Sequence, residues 1–320
     1  MRKRVLPALL ACLVCFLGVI KDLQAKDRRY KFEFDDVRRT YRVHIPPAYS
    51  DSTPAPLVLS LHGFAASARI HRYMTKMNRK SNEEGFICVY PNGTGWPRAW
   101  NAGNKLGKRK QADDLGFLNS LIDTMVSRYS IDTNMIYATG FSNGGMMSHR
   151  LACQLSSRIA AIAPVAGGLV YGECEPERPV PVIHIHARND PVVKYEGDTI
   201  AGVHFYSIQE NLENWAELNW CEEGPDTVFN ENSRAWRQRW RDAESDMEVM
   251  LWTTRRGGHT WPRGRGFPIP SLAFPSRAVD ANEVMWEFFV DHPMKTKDRF
   301  HGDPDENRDE QDLRSIQSPE

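Results

Sequence analysis

The pentapeptide Gly140-Phe141-Ser142-Asn143-Gly144 constrains the fold of this chain more than any other stretch. An apolar run of strand character, Met135–Thr139, leads straight into it, and a segment of helical character from Asn143 to Leu155 leads out. A chain that passes from strand to helix in so few residues must turn very sharply. Glycines two positions to either side of the serine let the strand and helix backbones close around it. The spacing matches G-x-S-x-G, the turn that holds a serine hydroxyl above the edge of a sheet, with the N-terminal amides of the next helix aimed at the same point. The plainer alternative is a glycine-rich turn with an ordinary surface serine. The strand before and the helix after count against it.

The rest of the chain repeats the strand–helix theme. Tyr30–Phe34 and Thr40–Ile45 read as an antiparallel pair turning at Asp35-Asp36, and Pro46-Pro47 closes the second strand. Leu57–Leu61 and Phe86–Tyr90 are short apolar runs that read as buried strands, with a polar helix over Ile70–Glu84 between them. Leu115–Tyr129 has apolar residues at helical spacing, and Asp113 and Asp114 stand where a cap and the helix dipole favour acids. Strands follow at Met135–Thr139, Ala160–Val165, Val182–Ile185 and, last, Glu248–Trp252. Helices follow at Tyr206–Leu218, with Trp215 on the apolar side, and Asn282–Val290. This alternation predicts an α/β fold: a mostly parallel sheet with helices on both faces.

A serine hydroxyl is a weak nucleophile and needs a base, itself oriented by a carboxylate. Where the serine sits on such an elbow, the chain order is serine, acid, histidine. Asp190 lies just past Val182–Ile185, on the sheet edge that presents the elbow, and His259 lies past the last strand in Gly257-Gly258-His259. Each has a bland alternative, a turn residue before Pro191 and a loop histidine. Their joint placement in the required order favours Ser142, Asp190 and His259 as a catalytic triad. A tetrahedral oxyanion needs two N–H donors, and the sequence points to the backbone amides of Asn143 and Phe64. His62 reads as structural. His184 and His186 alternate along a strand and are expected to face opposite sides, which is not a metal-chelating arrangement. His149, on the helix after the elbow, is packed or exposed. Trp96, Trp100, Trp261 and Tyr90 come from loops that either line a cleft or pack as core. The three tryptophans are the candidate substrate-binding residues.

The chain ends bound the setting. Arg2-Lys3-Arg4, an apolar run from Val5 to Ile20, and Leu23-Gln24-Ala25 follow the order of a signal peptide over residues 1–25, with cleavage expected after Ala25. Leu9-Leu10-Ala11-Cys12 also resembles a lipoprotein cleavage box, so a lipid anchor stays open. An uncleaved membrane anchor is disfavoured by the run's length. Residues 26–293 read as the folded domain, and 294–320 as a charged, disordered tail. Past the leader four cysteines remain, Cys88, Cys153, Cys174 and Cys221, which permits two disulfides with three pairings. Cys153 with Cys174 is the favoured pair, and Cys88 equally reads as a buried thiol. Beyond Cys12 and Cys15 of the leader, no two cysteines stand at Cys-x-x-Cys spacing, which argues against structural zinc. The 41 basic and 41 acidic residues give no global reason to expect nucleic acid or an acidic polymer as partner.

Taken together, LHGF (61–64), YPNGTG (90–95) with WNAG (100–103), DDLGF (113–117), YATGFSNGGMMSHRLAC (137–153), RPVPVIHIHARNDPVVKYEG (178–197) and GGHTWP (257–262) resemble the secreted polyhydroxybutyrate depolymerase and feruloyl esterase family of α/β-hydrolases. The resemblance runs from about Tyr30 to Val290. It implies the α/β-hydrolase fold, the same three triad residues, and ester hydrolysis through an acyl-serine with no metal or organic cofactor. The partner it implies is a small or polymeric ester: short polyhydroxyalkanoates, feruloyl esters or acetylated plant polysaccharide such as acetyl xylan. The chain departs from the family in three places. Asn104–Lys110 is basic and lacks the adjacent cysteines often found there. His186-Ala187-Arg188 replaces His-Gly-Thr, and Cys221 lacks a downstream partner. A serine peptidase and a non-catalytic binding protein on the same fold are the other readings. Export places the protein outside the cell or in the periplasm.

Overall fold

The protein is described here from a computed structural model, which covers residues 25–103, 112–170, 172, 174–200, 203–266 and 274–295. The leader, the basic loop from Asn104 and nearly all of the charged tail lie outside the described residues. Strands β1 (Lys26–Phe34) and β2 (Val37–Ile45) form an antiparallel hairpin. Its two-residue turn is Asp35-Asp36, with φ of 51° and 54°, the left-handed pair that matches the twist of the flanking strands. The chain continues through β3 (Ala55–Leu61), α1 (Ala68–Thr75), α2 (Met77–Glu84), β4 (Ile87–Pro91), α3 (Asp114–Arg128), β5 (Ile131–Phe141), α4 (Asn143–Gln154), β6 (Ala161–Val165) and β7 (Val182–Ala187). A small hairpin, β8 (Asp198–Ile200) with β9 (Val203–Phe205), precedes α5 (Ile208–Leu218). Strands β10 (Glu223–Phe229), β11 (Ala235–Arg241) and β12 (Glu248–Thr254) and helix α6 (Ala281–Asp291) complete the fold.

The main sheet has ten strands in the order β1-β2-β4-β3-β5-β6-β7-β12-β11-β10. The six from β4 to β12 run parallel, and antiparallel hairpins extend the sheet at both ends. The chain winds from β3 outward to β4, then returns past β3 to β5 and on in the opposite direction. The carboxyl ends of β3 and β5 therefore flank a topological switch point, where open α/β sheets form their crevices. Alternation along the strands divides the core. Leu57, Leu59 and Leu61 pack with α3, α4 and α5 residues such as Phe117, Leu151 and Trp215. Val58, Cys88 and Tyr90 point to the other face, with Met77 of α2 and Met285 and Phe289 of α6.

Three expectations need correction. The Ile70–Glu84 helix is two helices, broken at Lys76, which takes a left-handed conformation (φ 56°). Asp113 caps α3 as expected, accepting the Gly116 N–H at 2.8 Å. Asp114 does more than complement a dipole, because it is buried and accepts hydrogen bonds from the Arg39 guanidinium (2.5 Å) and the Asn101 N–H (2.8 Å). Strands β10 and β11 extend the sheet where the sequence reading placed no strand. Cys153 and Cys174 form a disulfide, tying the end of α4 to the segment beyond β6. Among the described residues no second disulfide forms. Cys88 and Cys221 are buried free thiols, and burial pushes both up to about 12.

Candidate active site

Ser142 ends β5 and caps α4 at φ 55° and ψ −119°, a conformation that side-chain-bearing residues rarely adopt. Two backbone bonds lock it there: its N–H donates to Val165 O of β6, and its carbonyl accepts the Met146 N–H, both at 2.9 Å. The flanking glycines are required by contact. A Cβ on Gly140 would stand 2.3 Å from the Gly144 carbonyl, and one on Gly144 would stand 2.2 Å from Leu61 O. The elbow therefore packs directly on the end of β3. Gly167, which sequence reasoning did not single out, meets the same limit, since its Cβ would lie 2.2 Å from Ser142 O.

Asp190 and His259 reach the same edge from β7 and β12, which are adjacent parallel strands. Asp190 Oδ1 accepts the N–H groups of Val192 (2.8 Å) and Val193 (3.0 Å), and Oδ2 accepts from His259 Nδ1 at 2.8 Å. Burial raises the Asp190 carboxyl, but its bond to His259, the nearby His186 and the Val192 N–H together hold it below the ordinary aspartate value. The acid is thus a fixed, ionised acceptor that selects the Nδ1–H tautomer of His259 and leaves Nε2 as the free lone pair. The His259 ring lies 4.7 Å from the Phe141 ring, beside the nucleophile's own turn. Gly257 (φ 151°) and Gly258 (φ 57°) make the bend, and the Gly258 N–H donates to Asn189 Oδ1, tying the histidine loop to the acid's neighbour.

Phe64 and Asn143 both line a cavity of about 320 Å3 that opens on Ser142. Among the described residues neither backbone amide has an acceptor within the protein; Asn143 stands at the first helical position, where that is expected. The Asn143 side chain has a role that the sequence reading missed. Its Oδ1 accepts the Trp100 N–H (2.7 Å) and its Nδ2 donates to Trp100 O (3.1 Å), clamping the WNAG loop onto the elbow. His62 is structural, as expected: Nδ1 donates to Gly63 O, Nε2 accepts the Gly93 N–H, and burial pushes it down to about 4.

Of the three candidate tryptophans, only Trp100 lines the cavity, with its Nε1 donating to His62 O. Trp96 is 87% exposed and not among the lining residues. Trp261 is core: it is 1% exposed, packs edge-on against His71 and donates to Asn282 Oδ1. Tyr90 is also fully buried and donates to Asn78 Oδ1. The other apolar walls are Phe64, Met146, Val192, Val193 and Phe205. Phe205 comes from the β8–β9 hairpin, too short to leave a periodic signal.

His184 and His186 do not face opposite sides. Residues two apart on a strand share a face, and here His184 Nε2 donates to His186 Nδ1 at 3.0 Å with the rings stacked. His186 Nε2 donates to Val193 O (2.8 Å) and lies 3.5 Å from Asp190 Oδ2. His149 is packed and buried, stacked on His184, and accepts from Trp215 Nε1. Burial holds all three imidazoles below their ordinary value. A neutral, buried histidine string therefore runs under the acid. Among the described residues no three His, Cys, Asp or Glu side chains are placed to hold a metal ion.

A sharp serine turn at the switch point of a mostly parallel sheet, with an acid–imidazole couple arriving from the next strands of the same edge, defines an α/β-hydrolase. The esterase PHB depolymerase family profile matches residues 39–208, more than half of the chain, and the chain belongs to that family. It is 29% identical over 222 residues to the bifunctional acetylxylan esterase/xylanase XynS20E of Neocallimastix patriciarum, a match covering 68% of this chain and 31% of the relative. It is 30% identical over 235 residues to feruloyl esterase B of Piromyces equi, covering 70% of this chain and 43% of the relative. The chain thus spans less than half the length of these two relatives. Among solved structures, the acetyl xylan esterase from Aspergillus awamori superposes with a TM-score of 0.59 at 14% identity, covering 82% of this chain and 99% of that one, a likeness of fold.

Proposed function

We propose that this protein is a serine carboxylesterase in which Ser142 is the nucleophile, His259 the base and Asp190 the orienting acid. The observation that carries the reading is the Asp190–His259 couple, buried and bonded at 2.8 Å on the sheet edge that holds the strained Ser142. Ser142 Oγ attacks the ester carbonyl carbon while His259 Nε2 takes the hydroxyl proton. The carbonyl π pair moves onto oxygen, and the Phe64 and Asn143 N–H groups receive the oxyanion. Collapse expels the alcohol, which takes its proton from His259 and leaves acyl-Ser142. Water, deprotonated by the same imidazole, then repeats the sequence and releases the acid. Family membership and the names of the relatives support ester hydrolysis.

The cavity supports a compact acyl group, aromatic or short aliphatic. Its Phe64, Trp100 and Phe205 walls suit a phenylpropenoyl ring as well as a hydroxyalkanoyl chain. Plant polysaccharide esters are therefore kept beside short polyhydroxyalkanoates as substrates. Residues 26–293 act as the single catalytic unit of this chain, exported by the leader at residues 1–25. The Cys153–Cys174 disulfide suits an oxidising compartment. Among the described residues no helix is long and apolar enough to cross a membrane.

The deciding experiment compares the parent with Ser142→Ala on p-nitrophenyl acetate, p-nitrophenyl butyrate and methyl ferulate. The expected result is turnover by the parent and a loss of at least about a hundredfold in a folded variant. A variant as active as its parent would overturn the assignment. A parent that turns over none of the esters and resists a fluorophosphonate probe would favour a binding role.

A further inference from the structure

The equal count of 41 basic and 41 acidic residues hides a local imbalance. Three adjoining clefts of about 720, 970 and 470 Å3 open along the seam between α1 and the loop that follows His259, and Tyr73 lines all three. Arg69, Lys76, Arg263, Arg265 and Arg277 line them as well. Among the described residues none of these five cations is paired with a carboxylate, and no Asp or Glu lines any of the three clefts. Two further arginines on the border are already neutralised, Arg72 by Asp27 and Arg79 by Glu83. The crowding of positive charge is felt beyond the clefts. The Arg42 guanidinium is lowered first by burial and then by repulsion from Arg72, Arg29 and Arg69.

Hydrogen bonds cross the seam and tie it to the loop that carries His259. The Arg265 N–H donates to Met74 O (2.7 Å), and Lys76 Nζ donates to Arg263 O (3.0 Å). Asn282 bridges the two sides, donating to Thr75 O (2.8 Å) and accepting from Trp261 Nε1 (3.0 Å). A Cβ on Gly264 would lie 2.7 Å from Met74 O, so the loop backbone sits directly on α1. Trp261 stands two residues after His259. The cations are therefore held in a fixed relation to the histidine loop. The Arg265 guanidinium is spread 4.1 Å above the Tyr73 ring, which is itself 61% exposed.

We propose that this seam is the docking site for an acidic polysaccharide, whose uronate carboxylates pair with the five cations while an ester substituent of the same chain reaches Ser142. The proposal rests on the reading of Ser142 as an ester hydrolase. Four of the five cations are arginines, whose planar forks match carboxylates in two parallel hydrogen bonds. The exposed aromatic ring among them offers a face for the apolar side of a sugar. The three open clefts adjoin one another through Tyr73 into an elongated, charged groove, which suits an extended glycan chain lying along it better than a bilayer surface. Their fixed relation to the His259 loop is what a polymer needs if binding in one place is to present an ester in another.

The full-length protein is titrated with polygalacturonate and, separately, with neutral arabinoxylan. Arg69→Glu/Arg263→Glu/Arg277→Glu and the milder Arg69→Gln/Arg277→Gln are the variants, and hydrolysis of p-nitrophenyl acetate reports folding. The expected result is binding to polygalacturonate that weakens as salt rises. It should fall at least about tenfold in the charge-reversed variant and by less in the neutral one, with p-nitrophenyl acetate turnover kept. Loss of binding in the neutral variant with turnover intact supports the site even if the charge-reversed variant does not fold. Three outcomes overturn the proposal: no binding to polygalacturonate, equal binding by parent and folded variants, or equal affinity for duplex DNA or phosphatidylglycerol vesicles. Failure of the parent on every ester would remove the hydrolase reading, whereas the binding isotherms alone decide the docking site.

Discussion

Ser142 can hold its strained positive-φ conformation because Gly140, Gly144 and Gly167, where a β-carbon would clash with main chain, let the elbow close around it. Gly140→Ala places that carbon against main chain of α4, which cannot shift without parting the helix from β5. The expected outcome is a loss of about 3 kcal/mol or more in urea unfolding, with activity falling in step. His186 acts at one remove. It fixes Val193 O, and the Val192 and Val193 amides in turn fix Asp190. His186→Ala should lower kcat by about tenfold, or about 1.4 kcal/mol of barrier, with KM nearly unchanged. Equal scaling of kcat and KM, or no effect, would show that the string is only packing. The placement of Ser142, Asp190 and His259 on one sheet edge was legible because their order and their positions after strands are dictated by the sheet. The histidine string was misread, although period-two alternation puts His184 and His186 on one face. The tryptophans were half legible. Trp100 and Trp261 sit in similar motif loops and both are buried, but only Trp100 also borders the Ser142 cavity, while Trp261 is enclosed between His71 of α1 and Asn282 of α6.

At the scale of elements, α4 is held at both ends, by the elbow at its start and by Cys153–Cys174 at its finish. The cysteines are 21 residues apart, so releasing them frees a loop whose closure entropy is worth about 3 kcal/mol. Cys153→Ala/Cys174→Ala should lose about that much stability in urea unfolding, and reductant should bring the parent to the same midpoint. An insensitive midpoint would mean that the pair contributes little to the folded state. Helix α3 was readable from its Asp113 cap and apolar spacing. The break between α1 and α2 was not. Lys76 carries no breaker signal, and its left-handed turn is fixed by tertiary contacts, the Lys76 Nζ bond to Arg263 O among them. Strand β10 is exposed along its whole length, and β11 is studded with arginine, so neither shows the apolar alternation that marks a half-buried strand.

Across the whole molecule, burial keeps His62 near 4 and both His71 and His149 near 3. In the unfolded chain each returns to about 6.5. Between those values the unfolded state binds protons that the native state refuses, so stability falls as pH drops below about 6.5, by about 1.4 kcal/mol per pH unit for each histidine. The lowered carboxyl of Asp190 adds a loss of the same sign at lower pH. Urea midpoints should therefore fall clearly from pH 7.5 to pH 5.5, and a flat profile would refute the account. The parallel core of the sheet was legible as a whole because its strands are nearly uniformly apolar, whereas its antiparallel margins were visible only at β1 and β2. Those margins have a consequence of their own. The strand that ends the sheet at one side, β1, carries charges of both signs at Lys26, Asp27, Arg28, Arg29, Lys31 and Glu33, and the one at the other, β10, carries Pro225 and an irregular register between Glu223 and Asp226. Neither presents an uninterrupted, uncharged ladder on which a second molecule can continue the sheet, so the fold resists edge-to-edge stacking and the aggregation it seeds, even when many copies are crowded together.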